Sequence, residues 1–317
     1  MSEKNVIYAI VGPTASGKSR LAMELAKRHG GEIISCDSMQ VYKKMDIGTA
    51  KPTEAERTEI RHHLIDIVEP DVNFSCQDYA ECADEAISDC MSRGKIPIVC
   101  GGTGLYLDTL IRGGNSAPSA DTSLIRDNLT KRCENGESTE IYEELKRVDP
   151  ESAEAIHPNN IKRVIRALEI FYSCGLPKSE LDRRSKHEKV KYDARVIGLR
   201  YLDRNILYRR IEERVDKMLS DGLLREAEAL MREGIFEKSR TAAQAIGYKE
   251  LLGYLSGNCS LEEATEKLKI ATRRYAKRQI TWFGAKDYVT FTDMDEAGAE
   301  KRFEEIVNNA ERLFSLC

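Results

Sequence analysis

The run Gly12-Pro13-Thr14-Ala15-Ser16-Gly17-Lys18-Ser19 has the residue types and spacing of a phosphate-binding loop. Its end glycines let the backbone wrap an anion, with successive N–H groups turned inward at the positive end of the helix that follows. Lys18 would set a full charge against the outer phosphate oxygens, and the Ser19 hydroxyl suits a magnesium ion. A di- or triphosphate ligand is therefore expected; the plainer reading is a turn that only joins strand to helix. A second reactive group is Asp37, at the end of the apolar run 32–36. An apolar strand ending in Asp is also how a magnesium ligand looks. Gly101-Gly102-Thr103-Gly104 is a third strand-to-helix turn, which on the same edge would complete a pocket.

These groups need a sheet to hold them. Apolar runs at 6–11, 32–36, 96–100 and 195–200 read as strands, with 288–292 as a short last one. Helical spacing separates them, which predicts an α/β fold: a parallel, P-loop NTPase-like sheet flanked by helices. The first two strands, with one helix between them, are expected to be parallel neighbours. Asp37 then sits at a strand's carboxyl end, where open sheets bind ligands. Residues 41–52 are too rich in polar, Gly and Pro residues for a core element and read as a functional loop returning to the surface. In a strand the adjacent His62 and His63 would face opposite ways, so no metal site is assigned to them.

Between about 120 and 189 the β signal disappears, with helices expected at 122–135, 138–146, 152–156 and 160–172. This is an all-helical insertion, giving a core of 1–118 with 192–317 and an inserted domain of 119–191. Long helices are expected beyond it at 204–219, 223–233, 242–255, 261–283 and 297–316.

Composition narrows the class. Lys+Arg 49 against Asp+Glu 53 leaves a net charge of -4, so any nucleic-acid surface must be local. The nine cysteines form no C-x-x-C pair, which argues against a thiolate zinc site of the usual spacing and reads as reduced, buried thiols. No apolar stretch approaches the roughly 20 residues of a membrane span, and the first strand begins at once. A cytoplasmic protein is expected, working as a monomer.

A local basic surface is present. From Lys267 to Lys286 there is no acidic residue, while Arg273, Arg274, Lys277 and Arg278 interleave with Tyr275, Trp282 and Phe283. Lys162, Arg163 and Arg166 form a smaller cluster in the insertion. Such clusters are usually solvated helix faces. An acid-free run with aromatics favours a nucleic acid whose bases are stacked or flipped out.

Several blocks stand in the order seen in tRNA dimethylallyltransferases, and the chain resembles that family over nearly its whole length. They are the phosphate loop, Asp37-Ser38-Met39-Gln40 with 45–52, Gly101-Gly102-Thr103 with Leu105-Tyr106, Arg166-Ala167-Leu168-Glu169, Gly247-Tyr248-Lys249-Glu250 and the 272–283 segment. The phosphate loop is shared with ATP-binding enzymes, whereas the second and last blocks are specific. Lys44 stands where many members have Gly, and Ser19 where Thr is common. No zinc-finger extension follows, so the likeness is to bacterial members.

The resemblance implies transfer of a dimethylallyl group from dimethylallyl diphosphate to the exocyclic amine of the adenosine 3′ of a tRNA anticodon, with Mg2+. It implies that the loop, Lys18, magnesium on Ser19 and Arg214 stabilise the leaving diphosphate, and that Asp37 takes the amine proton. By the same matches tRNA meets Asp37, Ser38, Met39 and Gln40, then Lys162, Arg163 and Arg166, then Gln244, Gly247 and Lys249. Arg274, Lys277 and Arg278 add the basic helix, and Thr103 and Arg126 match positions at the flipped base. Three other readings stay open: a P-loop kinase with a helical lid, an enzyme prenylating free adenine nucleotides, and an RNA-binding regulator switched by nucleotide.

Overall fold

The computed structural model describes residues 6–112, 122–186, 190–295 and 300–316. The chain forms two compact units, residues 1–111 with 191–317, and residues 112–190. The boundary expected at 118/119, residues 187–189 of the expected insertion and the first turn of the closing helix at 297–299 lie outside the described residues.

The larger unit begins with β1 (Val6–Val11), α1 (Lys18–His29), β2 (Gly31–Cys36), α2 (Glu54–Glu59), β3 (His62–His63), α3 (Cys76–Ser92), β4 (Ile96–Gly101) and α4 (Gly104–Arg112). The smaller unit contains α5 (Ser123–Glu134), α6 (Ser138–Val148), α7 (Pro150–Ala155), α8 (Ile161–Cys174) and α9 (Lys178–Lys186). The larger unit resumes with β5 (Asp193–Arg200), α10 (Arg204–Asp221), α11 (Leu223–Arg232), α12 (Ile235–Lys238), α13 (Arg240–Gln244), α14 (Tyr248–Leu255), α15 (Leu261–Gly284), β6 (Val289–Asp293) and α16 (Glu300–Phe314).

The sheet has six strands, all parallel, in the order β3-β2-β4-β1-β5-β6. This corrects the expected pairing of β1 with β2, because β4 inserts between them. A right-handed crossover can return past a neighbour as readily as beside it, and β4 offers an apolar strand buried on both faces. Side chains alternate between two cores. Ile33 and Ile98 pack with Leu21, Leu25 and Phe314 on one face, while Ile34 and Val99 pack with Tyr79, Leu107 and Phe283 on the other. Register levels the carboxyl ends: Gly101 pairs with both Val11 and Cys36. The turns starting at Gly12, Asp37 and Gly102 therefore share one edge.

Two further expectations are corrected. Residues 41–52 form a loop with Lys43, Lys44 and Asp46 exposed, but it is not wholly at the surface, because Val41, Tyr42 and Met45 are buried in a third core with Leu223, Ala227 and Tyr248. Lys51 is buried too, its Nζ bonded to the Tyr42 carbonyl and Asp46 at 2.6 Å each and to Asp66. Residues 242–255 are not one helix. Gly247 at φ +106° breaks the run into α13 and α14, and Glu250 caps the second by accepting the Gly247 N–H at 3.0 Å.

The smaller unit is helical throughout its described residues, around Leu129, Ile141, Leu145, Val164 and Leu168. Among the described residues the cysteines are free thiols, and no helix is long and apolar enough to cross a membrane.

Candidate active site

The phosphate loop is tightly tied. The Ser16 N–H donates to the Pro13 carbonyl at 3.2 Å, and the Arg210 guanidinium donates to the Ala15 carbonyl at 2.9 Å. Ala15 holds φ +62° and Gly17 φ +91°, left-handed positions that turn the loop into α1. Lys18 folds back, its ammonium donating to the Pro13 carbonyl at 3.1 Å. Burial lowers its pKa, and the neighbouring Arg214 charge pushes the same way. Arg214 is also lowered by burial, opposed by Asp37. The two cations repel each other, and neither forms an ion pair among the described residues.

Asp37 opens the turn after β2, its Oδ1 accepting the Met39 N–H at 2.9 Å. The Thr103 hydroxyl accepts the Ser38 N–H at 3.0 Å, and the Thr103 N–H donates to the Cys36 carbonyl at 3.1 Å. The turns after β2 and β4 thus brace each other. Burial raises the Tyr275 phenol, with the Asp37 charge acting the same way. Cys36 is pushed up to about 12 and Cys100 to about 11, both by burial, so these thiols stay protonated and are not nucleophiles.

A cavity of about 310 Å³ opens at this edge. Of the residues singled out in the sequence, Thr14, Lys18, Ser19, Asp37, Ser38, Met39, Gln40, Arg214, Gln244, Gly247 and Arg278 line it. A second cavity, of about 330 Å³, lies along the loop and is lined by Ala15, Ser16 and Gly17. Lys18, Ser19 and Arg214 border both. Gly12 and Pro13 are buried beneath the loop, and Lys249, Arg274 and Lys277 are exposed outside the cavity. In the smaller unit Lys162 and Arg163 are exposed, while Arg126 and Arg166 both reach the buried Glu169 at 2.8 and 2.6 Å. Burial would raise Glu169, but its bonds to Arg126 and Thr122 outweigh that and lower it.

Gln40 is engaged internally: Nε2 donates to the Thr49 and Ala50 carbonyls at 3.2 and 3.1 Å, and Oε1 accepts from Ser35 at 2.9 Å. Glu226, which no motif marked, accepts the N–H groups of Asp46, Ile47 and Gly48 at 2.9–3.0 Å and the Tyr248 hydroxyl at 2.7 Å. It pins the loop that lines the cavity through Gly48, Thr49 and Ala50. Tyr275 and Gln279 also line the cavity and were not singled out as site residues. Lys44 holds φ +64°, a left-handed backbone that favours the glycine the resemblance leads one to expect there.

One other grouping among the described residues has metal-ligating types: Glu32, His63 and Cys90. Its carboxylate is already held by both arms of Arg93, at 2.5 and 2.7 Å, with His63 at 2.7 Å. Arg93 holds the Glu32 pKa down at about 2, so the cluster is a paired carboxylate beside a thiol. Hard oxygen donors suited to magnesium occur instead at the cavity, in the Ser19 hydroxyl and the Asp37 carboxylate.

The IPP transferase profile matches residues 40–286. The tRNA dimethylallyltransferase of Caldanaerobacter subterraneus subsp. tengcongensis is 47% identical over 304 residues, 96% of this chain and 95% of that protein. That of Anoxybacillus flavithermus is 46% identical over 315 residues, 99% and 98% of the two chains. The full-length tRNA isopentenylpyrophosphate transferase of Bacillus halodurans superposes with a TM-score of 0.71 at 42% identity, covering 99% of this chain and 97% of that one. A eukaryotic dimethylallyltransferase acting on tRNA gives a TM-score of 0.79 at 33% identity, covering 96% and 79%. With the profile spanning most of the sequence and relatives aligned nearly end to end, this chain belongs to the IPP transferase family.

Proposed function

We propose that the chain is a tRNA dimethylallyltransferase, moving a dimethylallyl group from dimethylallyl diphosphate to the exocyclic N6 amine of the adenosine 3′ of a tRNA anticodon. The observation that carries this reading is one cavity bordered by the phosphate loop, Lys18 and Arg214 on one side and by Asp37 on another, with Arg278 on its wall. The C–O bond to diphosphate breaks as the C–N bond forms. Negative charge then grows on the leaving oxygens, which Arg214, the loop amides without an internal acceptor, and Lys18 on leaving the Pro13 carbonyl, stabilise. The amine is a weak nucleophile because its lone pair is shared with the ring. Asp37 accepts its proton, held in place by the Met39 N–H. A magnesium ion held by Ser19 would neutralise diphosphate charge.

Thr103, braced against the Asp37 turn, contacts the swung-out base, and Ser38, Met39, Gln40, Gln244 and Gly247 surround it. Lys249, Arg274, Lys277 and Arg278, with Lys162, Arg163 and Arg166 of the helical unit, meet the RNA backbone through charge, while Arg126 keeps the role at the flipped base that the resemblance implies. Glu169 fixes two of those arginines without cancelling both charges.

Mass spectrometry of unmodified tRNA incubated with the protein, magnesium and dimethylallyl diphosphate tests this. The expected product carries one dimethylallyl group in place of one hydrogen, on the adenosine 3′ of the anticodon. Unchanged tRNA alongside rapid ADP release from ATP would establish a kinase instead, and prenylated AMP without prenylated tRNA a nucleotide enzyme.

A further inference from the structure

The amide of Gln279 bridges two loops at the head of the sheet. The residue is on α15 and only 4% exposed. Its Oε1 accepts the Thr14 backbone N–H at 2.8 Å, and its Nε2 donates to the Gly102 carbonyl at 3.0 Å. A backbone N–H only donates and a carbonyl only accepts, so these partners fix which way the amide points. The turn after β4 is shaped around this contact. A Cβ on Gly102 would stand 2.0 Å from Nε2, and one on Gly104 would stand 2.2 Å from the Trp282 ring.

The same helix faces outward with charge. Arg274, Lys277 and Arg278 are exposed, and Tyr275 and Arg278 line the cavity, one turn and one residue before Gln279. One rigid element therefore carries the cations proposed to meet RNA and the amide that grips the phosphate loop. The loop has reason to need gripping. The residue after Thr14, Ala15, holds a left-handed backbone at φ +62°, which an alanine keeps only where its surroundings over-determine it.

We infer that Gln279 is a positioning residue that couples the RNA-facing helix to the anion cradle. RNA seated on α15 fixes the amide and with it the Thr14 peptide, so the loop is held in its anion-wrapping shape. Diphosphate in the loop fixes the amide from the other side and stiffens α15. Each ligand then strengthens the other by one common factor, because binding linkage is reciprocal. The inference rests on the reading above for the identity of the two ligands.

Calorimetry with inorganic diphosphate and magnesium, repeated with an anticodon stem-loop RNA present, measures that factor. For the native protein RNA should tighten diphosphate binding by at least about 5-fold, and diphosphate should tighten RNA equally. Gln279→Met removes both bonds at similar volume. Gly102→Ala keeps the amide but drives it from its seat. Either variant should bind each ligand alone within a few-fold of native, while mutual strengthening falls to about 1-fold and kcat drops more than KM rises. Should Gln279→Met fail to fold, Gly102→Ala decides. Native protein that binds both ligands independently would overturn the inference, as would Gln279→Met with the full native factor. Native protein that binds neither ligand counts against the proposed reaction as well, and so is told apart from failure of the coupling alone.

Discussion

Single residues in this protein divide by whether their charge is paired. Glu32 is paired: Arg93 forks onto it and His63 bonds it, holding its carboxyl at about 2 against the ordinary 4.5. A depressed folded-state pKa stabilises above the unfolded value and is lost as pH falls through the folded one. The Glu32 contribution should therefore be complete above pH 4.5 and disappear as pH drops from there toward about 2. Glu32→Gln should lower stability near pH 7, because the bonds from Arg93 and His63 lose their charged acceptor, while Arg93 keeps only Asp89 at 2.7 Å. Urea melts across pH 2–7 check this; curves of native and variant that keep a constant gap down to pH 2 would rule the linkage out. Lys18 and Arg214 have no such ion pair among the described residues, and burial lowers both. The roles of Lys18, Asp37 and Arg214 were open to reading in the sequence because a loop motif, a strand end and a family match mark them. Gln279, Glu226 and Glu169 were not marked as site residues. Gln279 and Glu169 stand inside blocks that carry the family resemblance, but nothing local names Thr14 and Gly102 as partners of the one or Thr122 and Arg126 of the other, and Glu226 stands in no block.

Among the elements, the loop after β2 shows how a polar segment becomes a wall. Glu226 on α11 gathers the successive N–H groups of residues 46–48, and Gln40 ties the segment back to Thr49 and Ala50. Read alone, residues 41–52 are a loop, and only the helices arriving after β5 give its apolar residues somewhere to pack. Glu226→Ala should cost about 1–3 kcal/mol in a thermal or urea melt, since several N–H donors lose their acceptor together. Glu226→Gln should cost less, having one oxygen left to accept. Equal losses in the two variants would mean that packing, not those bonds, holds the loop. The broken helix at Gly247 has the same origin. Helical periodicity runs through it, but the left-handed turn places Gln244 and Gly247 on the cavity. Strand order was the other feature not legible locally, since β4 enters between β1 and β2 by pairing that no short stretch encodes.

For the whole molecule, an acidic chain is proposed to bind RNA by concentrating charge on one helix and one cluster. Lys277→Ala with Arg278→Ala should weaken binding of an anticodon stem-loop and reduce the slope of log affinity against log salt by about 1 to 2. Filter binding across a salt series measures this, and an unchanged slope would remove α15 from the interface. The account's central claim concerns the cavity itself: it holds a departing diphosphate while Asp37 takes the proton from an RNA base. Single-turnover transfer from labelled dimethylallyl diphosphate to a stem-loop, at saturating protein, isolates that step. Asp37→Ala should cut the rate by roughly 10²-fold or more while stem-loop affinity stays within a few-fold. A native single-turnover rate combined with a large loss of RNA binding would contradict the claim.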